Sequence, residues 1–537
     1  MQINRKKIFE FSIIAIIIIA AMLIRAKVMF GTSLVPGMNG AYYLVQVRSI
    51  IEKGVLGEPD MPLVFYLQAG FALLIKLFSR LSLENSIFLA IKLFDVLIPP
   101  LSVIPAYLIS NYLDKEKHPI ISFLAIASVV AFSYGPLRMI GDFQKNSLGM
   151  LWFLFMAYFI IRAFSEKNKK YLSLALVFLT LTGLTHIGAF GVALIFAVLS
   201  LIFWAIFVAQ KSKQTLIVIG TSIGVIAAIL ALLSLISDSS RISKLIALIK
   251  EPLKIFSFSN ARFLFRAENL QSTIIFLVIC AVAIAAFILK RHSIEKWELS
   301  IFIPALITTL SLISPFVSQD YSTRFQIMAF IPGAIVLAFL LRHSGTLFKT
   351  AAVAVVVAAV AISIPQSMAA VQSPSISQAE YEELTTLKQY VDASSETLIV
   401  ARHGLEWWVS WVLHTNIAQP KAVQASDWTT YKTVLYLQEQ GMGGFGPIQI
   451  GTPPTDQSSQ DRVNPPQGFN PNTSNATPPQ NFNSNRGTFS PPQGNFPSDG
   501  TFNDAISLTN GTTIFKGTYL TLIKLEEPAT STTSGGN

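Results

Sequence analysis

Cysteine is almost absent: Cys280 stands alone in 537 residues. That excludes an intrachain disulfide and any cysteine-built metal centre. Charge is scarce as well. Asp, Glu, Lys and Arg make up 13% of the chain, against about 25% in an ordinary soluble domain. Acids are the rarer sign, 30 against 40 bases, which leaves a net charge of +10. What fills the space is apolar: 52% hydrophobic residues and a mean hydropathy of +0.53. A chain of this kind is not a soluble globular protein. In a membrane protein, excess base marks cytoplasmic loops and lipid headgroups, so nucleic acid is a poor reading of the charge.

A membrane-crossing helix takes about 20 apolar residues. Such runs lie at 8–24, 87–112, 120–135, 147–164, 171–185, 188–209, 214–236, 271–290, 298–314, 325–342 and 350–366. The first has no small-residue cleavage site after it, only Arg25 and Lys27, and reads as a retained helix. The run LVFYLQAGFALLIKLF at 63–78 is short, and counting it as a span breaks the charge pattern. Taken as an interfacial helix, it leaves RKK at 5–7, DKEKH at 114–118, SEKNKK at 165–170, KSK at 211–213 and KRHSIEKW at 290–297 all on one side. By the positive-inside rule that side is cytoplasmic. The expectation is an all-α polytopic domain over residues 1–370 with about eleven spans, N-terminus inside and C-terminus outside.

The outer loops are then 25–86, 136–146, 237–270 and 315–324. In 237–270, Arg241 and Lys244, and Lys250 and Lys254, pair by helical spacing among Leu and Ile, as in a basic helix lying in the interface. Beyond the spans, SQAEYEELTTLKQYVDA (377–393) reads as an amphipathic helix and ETLIVA (396–401) as a strand, so a small extracytoplasmic α/β domain is expected over 371–451. Residues 452–504 are rich in Pro, Asn and Gln, cannot bury a core, and are expected to be disordered. Acceptor sequons begin at Asn472, Asn475 and Asn510. The segment 505–527 reads as a strand pair with Lys516-Gly517 at its turn, returning to the small domain, and 528–537 as a flexible tail.

Polar residues gather in the outer loops. The first holds Asn39, Tyr42, Tyr43, Glu58 and Asp60, and the second Arg138, Asp142, Gln144, Lys145 and Asn146. A later one holds Asp320 and Arg324, and His186 stands in the turn LTHIGA, where a polar helix cap accounts for it. For any one of them solubility is explanation enough. Several such loops converging on one face of a bundle suggest a cavity. Lys92 and Asp95, one turn apart, are expected to pair.

The order NGAYYLVQVRSIIEKG, LIPPLSVIPAYLISNYL, RMIGDFQKNSL, THIG and RFQIMAFIPGAIVLA resembles the GT-C superfamily of membrane glycosyltransferases. It is most similar to the catalytic subunits of archaeal and bacterial oligosaccharyltransferases, over roughly residues 8–366. The resemblance implies transfer of a sugar from a polyprenyl phosphate or pyrophosphate carrier at the outer membrane face. In metal-dependent members, it further implies Mn2+ or Mg2+ held by a first-loop acid and a DxD-like pair. Here the first position falls at Asn39 and the others near Gln144 and Asn146, so the expected carboxylates are amides.

A metal site from Asp142 and Asp60 is one reading; a metal-free site is the other. In the second, Lys145 offsets phosphate charge with Arg324 as its partner, and Arg138 also faces the phosphate. Asp142 is then the general base, with Asp60 beside it. Asn39, Tyr42, Tyr43, Gln144, Asn146, His186, Trp407 and Trp408 are the remaining substrate-binding candidates. The acceptor motif WWDYG is matched by ARHGLEWWVSWVLH (401–414), which keeps Trp407 and Trp408 but has Val409 at the acid. On another register RHGLE takes the motif's place. Those tryptophans are read first as packing the small domain onto the membrane surface, and second as a stacking platform for a sugar or a peptide acceptor.

The function expected is a multi-pass cell-membrane glycosyltransferase acting on a polyprenyl-linked donor and a glycan, lipid or protein acceptor. The alternatives are a non-catalytic carrier-binding or scaffold relative in a surface glycosylation pathway and, last, a transporter. Membrane lipids are the expected partners, and nucleic acid is not.

Overall fold

The computed structural model describes residues 5–114, 119–208, 267–317, 319–424, 426–440 and 511–527, with single positions 220, 224 and 231. The expected span 214–236, the basic helix in 237–270, the Pro/Asn-rich segment 452–504, the three sequons and the tail 528–537 all lie outside this description, apart from isolated positions and 267–270.

Helices dominate. In the first half they are α1 (Arg5–Met29), α2 (Gly40–Lys53), α3 (Leu63–Phe78), α4 (Leu83–Leu97), α5 (Val103–Leu113), α6 (Pro119–Phe132), α7 (Tyr134–Arg138), α8 (Gln144–Glu166), α9 (Lys169–Thr185) and α10 (Ile187–Phe207). Then follow α11 (Ala267–Leu289), α12 (Lys296–Leu312), α13 (Gln319–Gln326), α14 (Phe330–Arg342) and α15 (Thr346–Ala369). Among the described residues, eight helical stretches are long and apolar enough to cross a membrane. The expected spans at 171–185 and 298–314 are α9 and α12, of 17 residues each, short of that length. The 63–78 run is the single helix α3, whose outer face exposes Leu67, Leu73, Leu74, Leu77 and Phe78. Between α4 and α5, Pro99 and Pro100 lack the N–H that would continue the helix, and the chain tightens into a 3-10 turn.

The charge pattern has a structural counterpart at one end of the bundle. There Lys349 pairs with Asp114, and Arg342 pairs with Glu298 while donating to the Leu113 carbonyl. His343 Nε2 lies 3.0 Å from Glu298, and Tyr112 and Ser165 share a hydrogen bond of 2.5 Å. Removing one member of a buried pair such as Lys349–Asp114 leaves its partner uncompensated, at a cost of about 3–5 kcal/mol.

The opposite end carries a five-stranded sheet, in the order β2-β1-β3-β5-β4. Its strands are β1 (Thr397–Val400), β2 (Asn416–Ala418), β3 (Thr433–Glu439), β4 (Gly511–Lys516) and β5 (Leu520–Leu525). β1 runs parallel to both β2 and β3, while β5 is antiparallel to β3 and β4. β1 (TLIV) is wholly buried and apolar after Thr397, as suits a central parallel strand. Helix α16 (Gln378–Thr386) opens on a capping box from Ser377 and Glu380 and is shorter than the 377–393 expected, giving way to a 3-10 turn at Leu387. Helix α17 (Leu405–Leu413) crosses from β1 to β2.

The sheet is not a separate body on a stalk. Trp408, Trp411, Leu405, Leu435 and Leu522 share one buried cluster with Tyr43, Phe65, Val47 and Ile91 of α2, α3 and α4. Arg48 of α2 closes the seam. Its guanidinium donates to the carbonyls of Ser410 and Trp411, each at 2.7 Å, and lies 5.0 Å from the centre of the Trp411 ring. These carbonyls belong to the last turn of α17, where a cation complements the helix dipole.

Candidate functional site

The site begins with glycines that let two loops touch. Gly37 has φ +96°, and a Cβ there would stand 2.6 Å from that of Asp142. Gly141 has φ +78°, and its Cβ would meet the Pro36 carbonyl at 2.7 Å. Only glycine tolerates both the conformation and the approach. The pair of loops is pinned from below by Arg25 and Asp95. Arg25 Nη2 donates to Asp95 Oδ1 (2.6 Å), its Nη1 donates to the Pro136 carbonyl (2.9 Å), and Asp95 Oδ2 accepts from the Gly141 N–H (2.9 Å). Asp95 therefore pairs with Arg25, not with Lys92 as its spacing suggested. Lys92 donates instead to the carbonyls of Thr32 (2.7 Å) and Ser33 (3.0 Å).

Asp142 is held on both oxygens. Oδ1 accepts from the Asn39 backbone N–H (2.9 Å) and from Asn39 Nδ2 (3.0 Å). With the Gln372 amide in the orientation its neighbours require, its nitrogen donates to Asp142 Oδ2 (2.8 Å) and its oxygen accepts from Arg138 Nη2 (3.1 Å). Tyr43 donates to the Asp142 carbonyl at 3.3 Å, and burial raises the Tyr43 pKa well above its ordinary value. Arg138 is buried with its guanidinium 5.2 Å from the Phe143 ring centre, and its Nη1 has no hydrogen-bond partner among the described residues.

Beside this lies a second group. Asp60 Oδ2 pairs with the Lys145 ammonium and accepts from the Tyr42 hydroxyl (2.5 Å), and Oδ1 accepts from the Met61 N–H (2.7 Å). Lys145 sits over the rings of Tyr42 (5.1 Å) and Phe65 (5.7 Å). Gln46 braces the loop: its Nε2 donates to the Glu58 carbonyl (2.8 Å) and its Oε1 accepts from the N–H of Gly57 (2.9 Å).

The sheet domain forms the roof. Trp407 stands edge-to-face on Tyr42, centroids 4.7 Å apart. Gly404, at φ +92°, has no room for a Cβ against Met38 Sδ, and the Gly37 N–H donates to the Ser373 carbonyl at 3.2 Å. Next to Gly404, His403 Nδ1 lies 2.9 Å from Oε1 of the buried Glu406. The hydrogen bond to Glu406 raises the His403 pKa, burial opposes it, and the charges of Glu406 and Asp142 add to the rise.

Eight of the sequence-derived candidates thus converge: Asn39, Tyr42, Tyr43, Asp60, Arg138, Asp142, Lys145 and Trp407. The others are placed elsewhere. Arg324 lies exposed on α13. Gln144 Oε1 accepts from Gln68 (2.6 Å), and Asn146 Nδ2 faces Met328 Sδ at 4.0 Å. His186 caps α10, its Nδ1 accepting from the Ala189 N–H (3.1 Å). Trp408 is core, donating to Ser375 Oγ (3.0 Å) between Phe88 and Tyr381. Gln372, His403 and Glu406 were not singled out by the sequence. The i, i+3 spacing of His403 and Glu406 within RHGLE was the available signal; a lone glutamine after the last span offered none.

The donor set does not fit a divalent cation at Asp142 and Asp60. Hard cations need free oxygen ligands, yet an ammonium already sits on Asp60, and amide donors hold both oxygens of Asp142. Among the described residues no group of three or more His, Cys, Asp or Glu side chains is gathered as a metal site.

No protein-family model matches the chain, and no curated protein matches it. Among solved structures it is similar to the crystal structure of the Archaeoglobus fulgidus oligosaccharyltransferase in complex with zinc and sulfate. The TM-score is 0.49 and the identity 14%, over 78% of this chain and 67% of that one.

Proposed function

We propose that this chain is a multi-pass membrane glycosyltransferase that moves a glycosyl group from a polyprenyl-phosphate-linked donor to an acceptor at the outer face. The site end of the bundle and the sheet domain lie outside, and the basic end lies in the cytoplasm. The observation that carries the reading is the buried Arg138 guanidinium, its Nη1 unpartnered among the described residues, at the edge of a membrane bundle under a polar and aromatic roof. A buried cationic donor without a partner suits an anion. In glycosyl transfer from such a carrier, the leaving group is a phosphate whose charge grows as the bond to the sugar breaks. Arg138 meets that charge through Nη1, its Nη2 being held by Gln372, and Lys145 adds a second cation nearby. Asp142 aligns the guanidinium through Gln372, and Trp407 with Tyr42 offers aromatic edges to a sugar ring.

The test is turnover of a polyprenyl-phosphate-linked sugar by the protein in proteoliposomes. Arg138→Gln is expected to lower kcat/KM by about 100-fold, the order seen when one charge-stabilising donor is lost. Full turnover in that variant would sink the reading. One observation favours a non-catalytic carrier-binding protein: Asp142, the expected base, has both oxygens held by amides. On that reading polyprenyl phosphate binds to wild type, and no sugar is released from the linked donor.

A further inference from the structure

We infer that His403, held by Glu406, is the general base of this reaction and that the acceptor it serves is a hydroxyl group. The inference rests on the glycosyltransferase reading and supplies what Asp142 cannot.

Placement comes first. His403 follows the carboxyl end of β1, a strand flanked on both sides by parallel neighbours. That end of a parallel sheet is where open α/β folds gather their ligand sites. Its neighbour Gly404 is packed on Met38, and Trp407, one turn into α17, stands on Tyr42. The imidazole is therefore presented over the loop that holds Asn39 and Asp142.

The hydrogen bonds decide its chemistry. Glu406 has 2% of its surface exposed, and an ionised carboxylate can only accept. Two groups meet His403 Nδ1, Glu406 Oε1 at 2.9 Å and the Gln419 amide nitrogen at 3.0 Å; with the amide donating to Glu406, the carboxylate takes the Nδ1 proton as its second donor and the lone pair is left on Nε2. Gln419 Nε2 donates to the same Glu406 oxygen at 2.9 Å and steadies it. Nε2 itself has no hydrogen bond among the described residues, and the side chain is 52% exposed. Glu406 Oε2 is buried with no partner among the described residues, which leaves the carboxylate beside an imidazolium as its countercharge. A neutral imidazole with one nitrogen tethered to a buried carboxylate and the other open is the arrangement of a general base.

The same chemistry names the acceptor class. An alcohol oxygen attacks with a free lone pair and needs only to lose its proton, which an imidazole can take. A carboxamide nitrogen has its lone pair delocalised into the carbonyl, so the neutral nitrogen attacks poorly and a base that takes the proton only as the new bond forms does not activate it. In the step inferred, the acceptor oxygen bonds to the anomeric carbon as that carbon's bond to the carrier phosphate breaks. The electron pair of the broken bond leaves on the phosphate oxygen, facing Arg138. The acceptor proton moves to His403 Nε2. Glu406 is a positioning residue.

The test uses the full chain in proteoliposomes with a radiolabelled polyprenyl-phosphate-linked sugar and three acceptors. These are a methyl glycoside, a Ser/Thr peptide without Asn, and an Asn-X-Thr peptide, with products sorted by alkaline β-elimination. Transfer to the glycoside or to the Ser/Thr hydroxyl is expected, and which one it is separates a glycan acceptor from a protein one. His403→Asn should lower kcat/KM by about 100-fold or more. Glu406→Gln should move the acidic limb of the pH profile, where the base is lost to protonation, to lower pH, because it removes the main cause of the raised His403 pKa; Arg402 and Asp142, the other charges acting on the ring, stay in place. As a measurement free of folding effects, carbethoxylation of wild-type His403 should stop transfer and hydroxylamine should restore it. Transfer to the Asn amide, or undiminished turnover in His403→Asn, overturns the inference and leaves the enzyme reading standing. No turnover of the donor by wild type overturns both.

Discussion

Asn39 meets Asp142 through two donors on one oxygen. An aspartate at position 39 would keep the backbone N–H and set a second carboxylate against the first. Like charges at that range disfavour each other's ionised form. Asn39→Asp is therefore expected to lower the melting temperature in detergent at pH 7.5 and to recover part of the loss at pH 5, where a proton can be shared. Equal melting of variant and wild type at both pH values would count against the contact. Arg25 and Asp95, buried beneath the same turn, give a larger effect. Asp95→Leu strands a guanidinium, with an expected loss of about 3–5 kcal/mol. Neither partner could be read from the sequence, where Lys92 was the nearer cation. Lys92 turns away because the Thr32 and Ser33 carbonyls accept its hydrogen bonds. Spacing along a helix says which residues share a face and is silent on what a third element brings to it.

Helices were the legible elements, because an apolar run of span length has few alternatives to a helix in lipid. α3 and α15 lie close to the runs 63–78 and 350–366 from which they were expected. The loops between them were legible as polar clusters but not as contacts. Gly37 and Gly141 show why: their meaning is an approach between chain segments more than 100 residues apart. Gly37→Ala is expected to cost more than the ~1 kcal/mol of an ordinary glycine replacement, since both φ and the Asp142 backbone oppose it. Chemical denaturation read by Trp fluorescence would show it, and a loss within about 0.5 kcal/mol of zero would disprove the close packing. At α3 the outward leucines match a helix lying at a lipid interface. Leu74→Glu should weaken retention on liposomes of a fragment-free, full-length preparation little, yet raise the accessibility of α3 to a water-soluble quencher. An unchanged quenching profile would place that face elsewhere.

For the molecule as a whole, the seam between α2 and α17 joins sheet to bundle. Burial, with the nearby Arg48 charge, lowers the His414 pKa, so the folded protein favours the neutral ring. Its contribution to stability is present above the unfolded value of about 6.5 and is lost as the pH falls through the folded value. His403 is shifted the other way and contributes below that range. Docking of the sheet should loosen on mild acidification, and His414→Gln should flatten that slope in limited proteolysis between pH 7.5 and 5.5. A slope equally steep in the variant would exclude His414 as its source.

Arg48 and Trp411 are separated by 363 residues. Chains are made at about 5–20 residues per second, so α2 is in place for roughly 20 to 70 s before its lid exists. During that interval Tyr43, Val47 and Phe65 have no sheet to cover them, and every intervening span must insert first. The seam is thus the last event of biogenesis. A ribosome that stalls or stops before β5 leaves a protein with its helices inserted and the site end of the bundle uncovered, a natural substrate for chaperones and proteases.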